Sequence, residues 1–165
     1  MNNIILSYFQ RILRESSGNY FEVGADDGAM VSVLAEYFPE KTLISLDNHV
    51  ENFETIFSRV SEKTNLLFYA MSPKDYNQTL TDKIADSYNI VIVYINSGID
   101  YQDYAESVKL AVRLLGTGAG YVVFNHSQDS EMQMAINEFK FQIGHRITAE
   151  ENIVDQNVSF TVREQ

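Results

Sequence analysis

At 165 residues, with 45% apolar and 21% charged side chains, the chain is sized for one domain, 1–165, that buries a single core, and its balance is that of a globular protein. Twenty-three acidic against twelve basic side chains leave a net charge of -11, which argues against nucleic acid or an anionic membrane surface as partner. Cysteine is absent, and this excludes disulfides, thiolate metal sites and cysteine nucleophiles.

Met1 to Gln10 contain no basic stretch followed by a long apolar core, and no window holds eighteen uninterrupted apolar residues. A cytoplasmic address without a membrane partner is expected. Ile4, Ile5, Tyr8, Phe9, Ile12 and Leu13 recur at spacings of three and four, which predicts one face of a packing helix ending at residues 16–18. Residues 19–24 read as a strand, and 29–38 as a helix whose Met30, Val33, Leu34 and Tyr37 face the sheet, with Pro39 marking its end. A second strand over 42–46 ends at Asp47. Residues 50–60 then carry Val50, Phe53, Phe57 and Val60 at helical spacing, and a third strand follows over 66–71.

Residues 73–88 are polar with weak periodicity, helical over part of their length. Residues 89–95 form the most β-branched apolar run, as a central parallel strand buried on both faces requires. A helix over 104–115, a strand over 120–125 and a helix over 131–143 follow, and 146–148 with 158–162 read as a closing strand pair. Alternation of this kind predicts an α/β fold of doubly wound type, mostly parallel with an antiparallel C-terminal edge pair.

The chemistry concentrates at Phe21-Glu-Val-Gly-Ala-Asp-Asp-Gly28, where the first strand meets the first long helix. In an open parallel sheet ligands bind beyond the carboxyl ends of the strands near the switch point, where this turn lies. Gly24 lets a ligand approach the backbone, and Gly28 allows tight re-entry into the helix. Glu22, Asp26 and Asp27 place three carboxylates around the turn, which repels a pyrophosphate and suits a cationic ligand. Asp47 ends the second strand 23 residues after Gly24, where an acidic side chain accepts ribose hydroxyls in this architecture.

Glu22-Val-Gly-Ala-Asp-Asp-Gly28 resembles the first motif of class I S-adenosylmethionine-dependent methyltransferases. With Phe38-Pro39 and Glu51-Asn-Phe-Glu54, residues 19–60 are similar to the FkbM-type branch of that class. Tyr94-Ile-Asn-Ser-Gly-Ile-Asp-Tyr101 and Leu114-Leu-Gly-Thr-Gly-Ala-Gly-Tyr-Val-Val-Phe124 resemble its small-molecule methyltransferases. The resemblance implies a Rossmann-like methyltransferase fold, S-adenosylmethionine as cofactor and a small-molecule acceptor. It implies that Glu22, Gly24, Ala25 and Gly28 line the methionine side, that Asp47 binds the ribose, and that Asn48 flanks the adenine. Ala70 and Met71 would lie near the adenine ring, and Asn96 would touch the cofactor and face the methyl-transfer centre.

Relatives similar to the second half often carry Asp-Gly-x-His-x-Tyr after the fourth strand and acidic residues after the fifth. This chain has Asn96 and Asn125-His126 there, and because amide oxygens are weaker ligands for hard cations, no metal is expected. His126, at the rim after the fifth strand, is a candidate general base, catalytic together with Asn96. His49 reads as a solvated cap beside Asp47, His145 as solvent-facing, and Asp100 and Asp103 as helix-dipole partners. A second reading is a methyltransferase-like protein that binds the cofactor or a nucleoside without catalysis, or that serves as a structural subunit. In that reading a partner or homo-oligomer supplies the missing wall of the pocket.

Overall fold

The computed structural model describes residues 2–96, 101–154 and 156–165. Strands β1 (Asn19–Val23), β2 (Leu43–Asp47), β3 (Leu66–Ala70), β4 (Ile90–Ile95), β5 (Gly120–Phe124), β6 (Ile147–Val154) and β7 (Asn157–Val162) form one sheet. Its order is β3-β2-β1-β4-β5-β7-β6, parallel from β3 through β5, with β7 antiparallel to both β5 and β6. The expected mostly parallel sheet with an antiparallel C-terminal pair is therefore present, and β4 is central.

Alternating side chains divide the core between the two faces. Tyr20, Leu43, Ile92 and Tyr94 pack against helices α1 (Asn3–Glu15), α2 (Ala29–Tyr37) and α3 (Phe53–Val60). Phe21, Ile44, Val93 and Phe124 pack against α4 (Pro73–Thr79), α5 (Asp82–Ser87), α6 (Tyr101–Leu115) and α7 (Ser130–Ile143). The chain winds outward from β1 toward β3 and from β4 toward β5, so the switch point lies between β1 and β4.

The structure bears out partial helicity over residues 73–88 and differs from the sequence expectation at three other places. Residues 73–88 form two short helices, each started by its own cap: Ser72 Oγ accepts from the Asp75 amide at 3.1 Å and Thr81 Oγ1 from the Ile84 amide at 3.3 Å. Neither is long enough to show a period. Helix α2 turns Ala29, Val31, Leu34 and Ala35 inward and leaves Tyr37 63% exposed, because a nearly continuous apolar run does not select a face. A 3₁₀ turn over Val50–Asn52 precedes α3, which rotates the register so that Ile56 and Val60 are buried while Val50 and Phe57 are exposed. Strand β6 extends to Val154 through exposed residues 149–152, polar after Ala149, a stretch with no apolar alternation to announce it. Residues 97–100, including Asp100, lie outside the described residues.

Under the carboxyl end of β5, Phe124, Phe139 and Phe160 form a triangle of rings with centroids 5.4–5.8 Å apart. Phe124 is completely buried and immediately precedes Asn125 and His126. Phe124→Ala is expected to cost about 3–5 kcal/mol of unfolding free energy in urea denaturation, the range for emptying a large aromatic from a close-packed core. A loss below about 1 kcal/mol would show that the triangle does not support this end of the sheet.

Candidate functional site at the carboxyl ends of the strands

The ladder runs one residue beyond three strands. The Gly24 amide donates to Leu46 O at 2.8 Å, the Asn96 amide to Val23 O at 2.9 Å and the Asn125 amide to Ile95 O at 2.9 Å. These bonds hold the first residues of three loops side by side. Gly24, with φ +85°, starts the bend; the Gly28 amide closes it on Ala25 O at 2.8 Å, and Asp27 Oδ1 accepts from the Ala29 amide at 3.0 Å at the start of α2. A Cβ at Gly28, where φ is +74°, would meet the backbone of Ile56 at 3.4 Å. Gly28 thus seats α2 against α3 and lines none of the cavities described below.

Asn96 ties the strand ends together. Its Nδ2 donates to Gly24 O at 2.9 Å, and its Oδ1 accepts from Tyr94 OH at 3.0 Å and from Asn125 Nδ2 at 2.8 Å. The amide is therefore committed to the protein, bridging β1, β4 and β5. Among the described residues no group of three or more His, Asp or Glu is arranged to hold a metal ion.

Asp47 has no exposed side-chain surface. Its Oδ2 accepts from the Asp26 amide at 3.2 Å; its Oδ1 accepts from the His49 amide at 2.7 Å and lies 3.1 Å from His49 Nδ1. This carboxylate pins the glycine bend to the loop after β2. Asp47 lines a crevice with Gly24, Asn48 and Met71, closed by Pro73 and Asp103, whose volume is about 10 Å³, room for about one water. Ala70 is exposed at the end of β3 and does not line it.

Glu22 occupies a different place. One residue of alternation turns its side chain to the α1–α2 face, where it accepts from Tyr20 OH at 2.8 Å and Ser45 Oγ at 2.7 Å and is 1% exposed. Burial pushes its carboxyl up to about 7, against the lowering effect of those two donors and with smaller raising contributions from Asp47 and Asp26. With Ala25, Tyr94, Asn96 and Asn125 it lines a cavity of about 210 Å³. Asn157 of β7 also lines it, 6% exposed and with no partner for Oδ1 among the described residues. The adjoining cavity, about 450 Å³, shares Asp26, Asn96 and Asn125 and adds His49, Asn52 and His126.

The three carboxylates of the bend therefore do different things. Glu22 is buried, Asp27 pairs with Arg59 at 3.0 Å, and Asp26 is exposed between the two cavities. Asp26 and His126, with φ +54° each, are two of the three non-glycine residues with positive φ among the described residues, and both line the larger cavity. Sequence reasoning put His126 here but missed Tyr94 and Asn157. Tyr94 carries no polar signal within an apolar strand, and Asn157 belongs to a strand called one residue late.

The Glu22 site makes stability depend on pH. Its folded-state value lies above the ordinary 4.5, so between pH 4.5 and 7 the folded chain holds the proton more tightly than the unfolded one. This contribution is full below about pH 4.5 and is lost as pH rises through 7, a change of roughly 3 kcal/mol. In urea titrations at pH 5 and 8, Glu22→Gln should remove that part of the pH dependence and be relatively more stable at pH 8. An unchanged slope in the variant would refute the assignment.

No family model and no curated protein matches the sequence. Solved structures match the fold. The O-methyltransferase NovP aligns with TM-score 0.78 and 13% identity over 98% of this chain and 80% of its own. The N-methyltransferase NodS from Bradyrhizobium japonicum WM9, in complex with S-adenosyl-l-homocysteine, aligns at TM-score 0.60 and 15% identity over 99% of this chain and 89% of its own. An rRNA methylase from Streptococcus thermophilus aligns at TM-score 0.63 and 12% identity over 98% and 94%. The fold thus serves enzymes named for RNA as well as others, and the expectation of no nucleic-acid partner rests on charge alone. With its seven-stranded sheet, parallel but for the C-terminal hairpin, the chain has the Rossmann-like fold of the class I methyltransferases.

Proposed function

We propose that the protein transfers a methyl group from S-adenosylmethionine to a small-molecule acceptor. The observation that carries this reading is the crevice at the ends of β1 and β2, where the buried Asp47 carboxylate shares a lining with Gly24, Asn48 and Met71. The donor set fits the cofactor in chemistry: Asp47 offers carboxylate oxygens to ribose hydroxyls, and Gly24 presents backbone without a Cβ at φ +85°. In volume the crevice has to widen for a purine, and half-buried Met71, the most adaptable side chain of its wall, is the one to yield.

Ala25 and Asn96, with buried Glu22 behind them, would border the methionine portion, and Asn48 the adenine. Asn96 acts there through the Gly24 carbonyl that it fixes. When bound, the cofactor supplies an electrophilic methyl group, and the chain's task is alignment and exclusion of water. His126 lines the acceptor side. No Lys or Arg lines either large cavity among the described residues, which with a net charge of -11 supports a small, unphosphorylated acceptor over nucleic acid. The FkbM-like character of residues 19–60 and a cytoplasmic site of action belong to the same proposal. Among the described residues no helix is long and apolar enough to cross a membrane.

A second reading, cofactor binding without transfer, is favoured by the small crevice and by the commitment of Asn96 to internal bonds. Calorimetry with S-adenosylhomocysteine tests what both readings share. Wild-type protein should bind it, and Asp47→Ala should lose about 1–3 kcal/mol, roughly 5- to 150-fold in affinity, with the buried bond to ribose. Absence of heat from the wild type would eliminate both readings.

A further inference from the structure

We infer that Asp47 and His49 form a carboxylate–imidazole dyad, with His49 as the base that takes the acceptor's proton; this rests on the transfer reading above. A carboxylate only accepts hydrogen bonds, so the 3.1 Å contact between Asp47 Oδ1 and His49 Nδ1 puts the proton on Nδ1. Fixing that tautomer leaves the Nε2 lone pair as the basic position. Nε2 has no hydrogen-bond partner among the described residues, and the half-buried ring lines the 450 Å³ cavity.

Orientation separates the two imidazoles of this cavity. His49 is held twice by one oxygen of a fully buried carboxylate, through its backbone amide at 2.7 Å and through its ring. The same carboxylate is fixed from the other side by the Asp26 amide. The His126 ring is exposed and has no hydrogen bond among the described residues. A base already aligned loses less freedom on reaching the transition state, so His49 is the better placed of the two.

The step balances without a metal or a further reagent. As the acceptor oxygen or nitrogen bonds to the methyl carbon, the carbon–sulfur bond of the donor breaks and its electron pair stays on sulfur. The acceptor's proton passes to His49 Nε2, and the imidazolium is stabilised by Asp47. The acceptor is thus a hydroxyl, whose proton leaves as the O–C bond forms, or a neutral amine, whose methylation yields an ammonium that gives its proton to His49.

Two measurements test this. Long-range proton–nitrogen NMR correlations of histidine-labelled protein should find neutral His49 with its proton on Nδ1, and Asp47→Asn should release that preference. A proton on Nε2 in the wild type would overturn the dyad. Methyl transfer to a panel of phenols, catechols and primary amines should fall by about 10²–10⁴ in His49→Ala, with S-adenosylhomocysteine affinity within about threefold, and recover partly with added imidazole. Retained turnover in that variant overturns the proposal, and so does a wild type that binds S-adenosylhomocysteine but methylates none of the panel. Failure to bind S-adenosylhomocysteine removes the transfer reading instead, and the NMR result still decides whether the dyad exists.

Discussion

A carboxylate with no exposed surface sits at the end of β2, and the loops above the sheet are arranged around it. Removing Asp47 from water is costly unless its oxygens are hydrogen-bonded, and three N–H groups provide for this: the amides of Asp26 and His49 and the imidazole Nδ1. One comes from the bend after β1 and two from His49. The first holds the glycine bend after β1, the second starts the turn after β2, and the third aims a ring into the larger cavity. Loss of this one charge would leave all three without a reference point.

The neighbouring position carries the opposite solution. Where Asp47 is charged and satisfied by N–H donors, the ends of β4 and β5 are joined by neutral amides, with Asn96 between Gly24 O and Asn125 Nδ2. Two carboxylates at positions 96 and 125 would repel one another at that separation unless a cation lay between them. Two amides need no cation, because one can donate while the other accepts. The amide pair therefore closes the sheet ends into a network that needs no ion.

The architecture was legible because its signals are strong and local. The run from Ile90 to Ile95 is apolar at every position, as burial on both faces of a central strand requires, and Gly24, Gly28 and Asp47 fall where an α/β sheet needs a bend and a terminal acid. Side-chain direction was much less legible. Glu22 and Asp47 look like two halves of one cradle in the sequence, yet a strand alternates its side chains and a bend redirects them, so they line separate cavities. Tyr37 and Phe57 were misplaced for related reasons: the nearly continuous apolar run of α2 selects no face, and the 3₁₀ turn before α3 rotates its register.

His49 stands at the cap position of the 3₁₀ turn, and its surroundings add what the sequence position alone does not show. Next to a strand-terminal acid it reads as a solvated cap, because histidine after a strand is ordinarily a surface residue. What changes its meaning is three-dimensional. The acid is buried rather than exposed, its other oxygen is held by the Asp26 amide, and the ring lies along a cavity shared with Asn96 and Asn125. A cap satisfies a backbone end and could be exchanged for Ser or Asn. An imidazole tied through Nδ1 has one fixed tautomer and one basic nitrogen, which no other side chain at that position would reproduce.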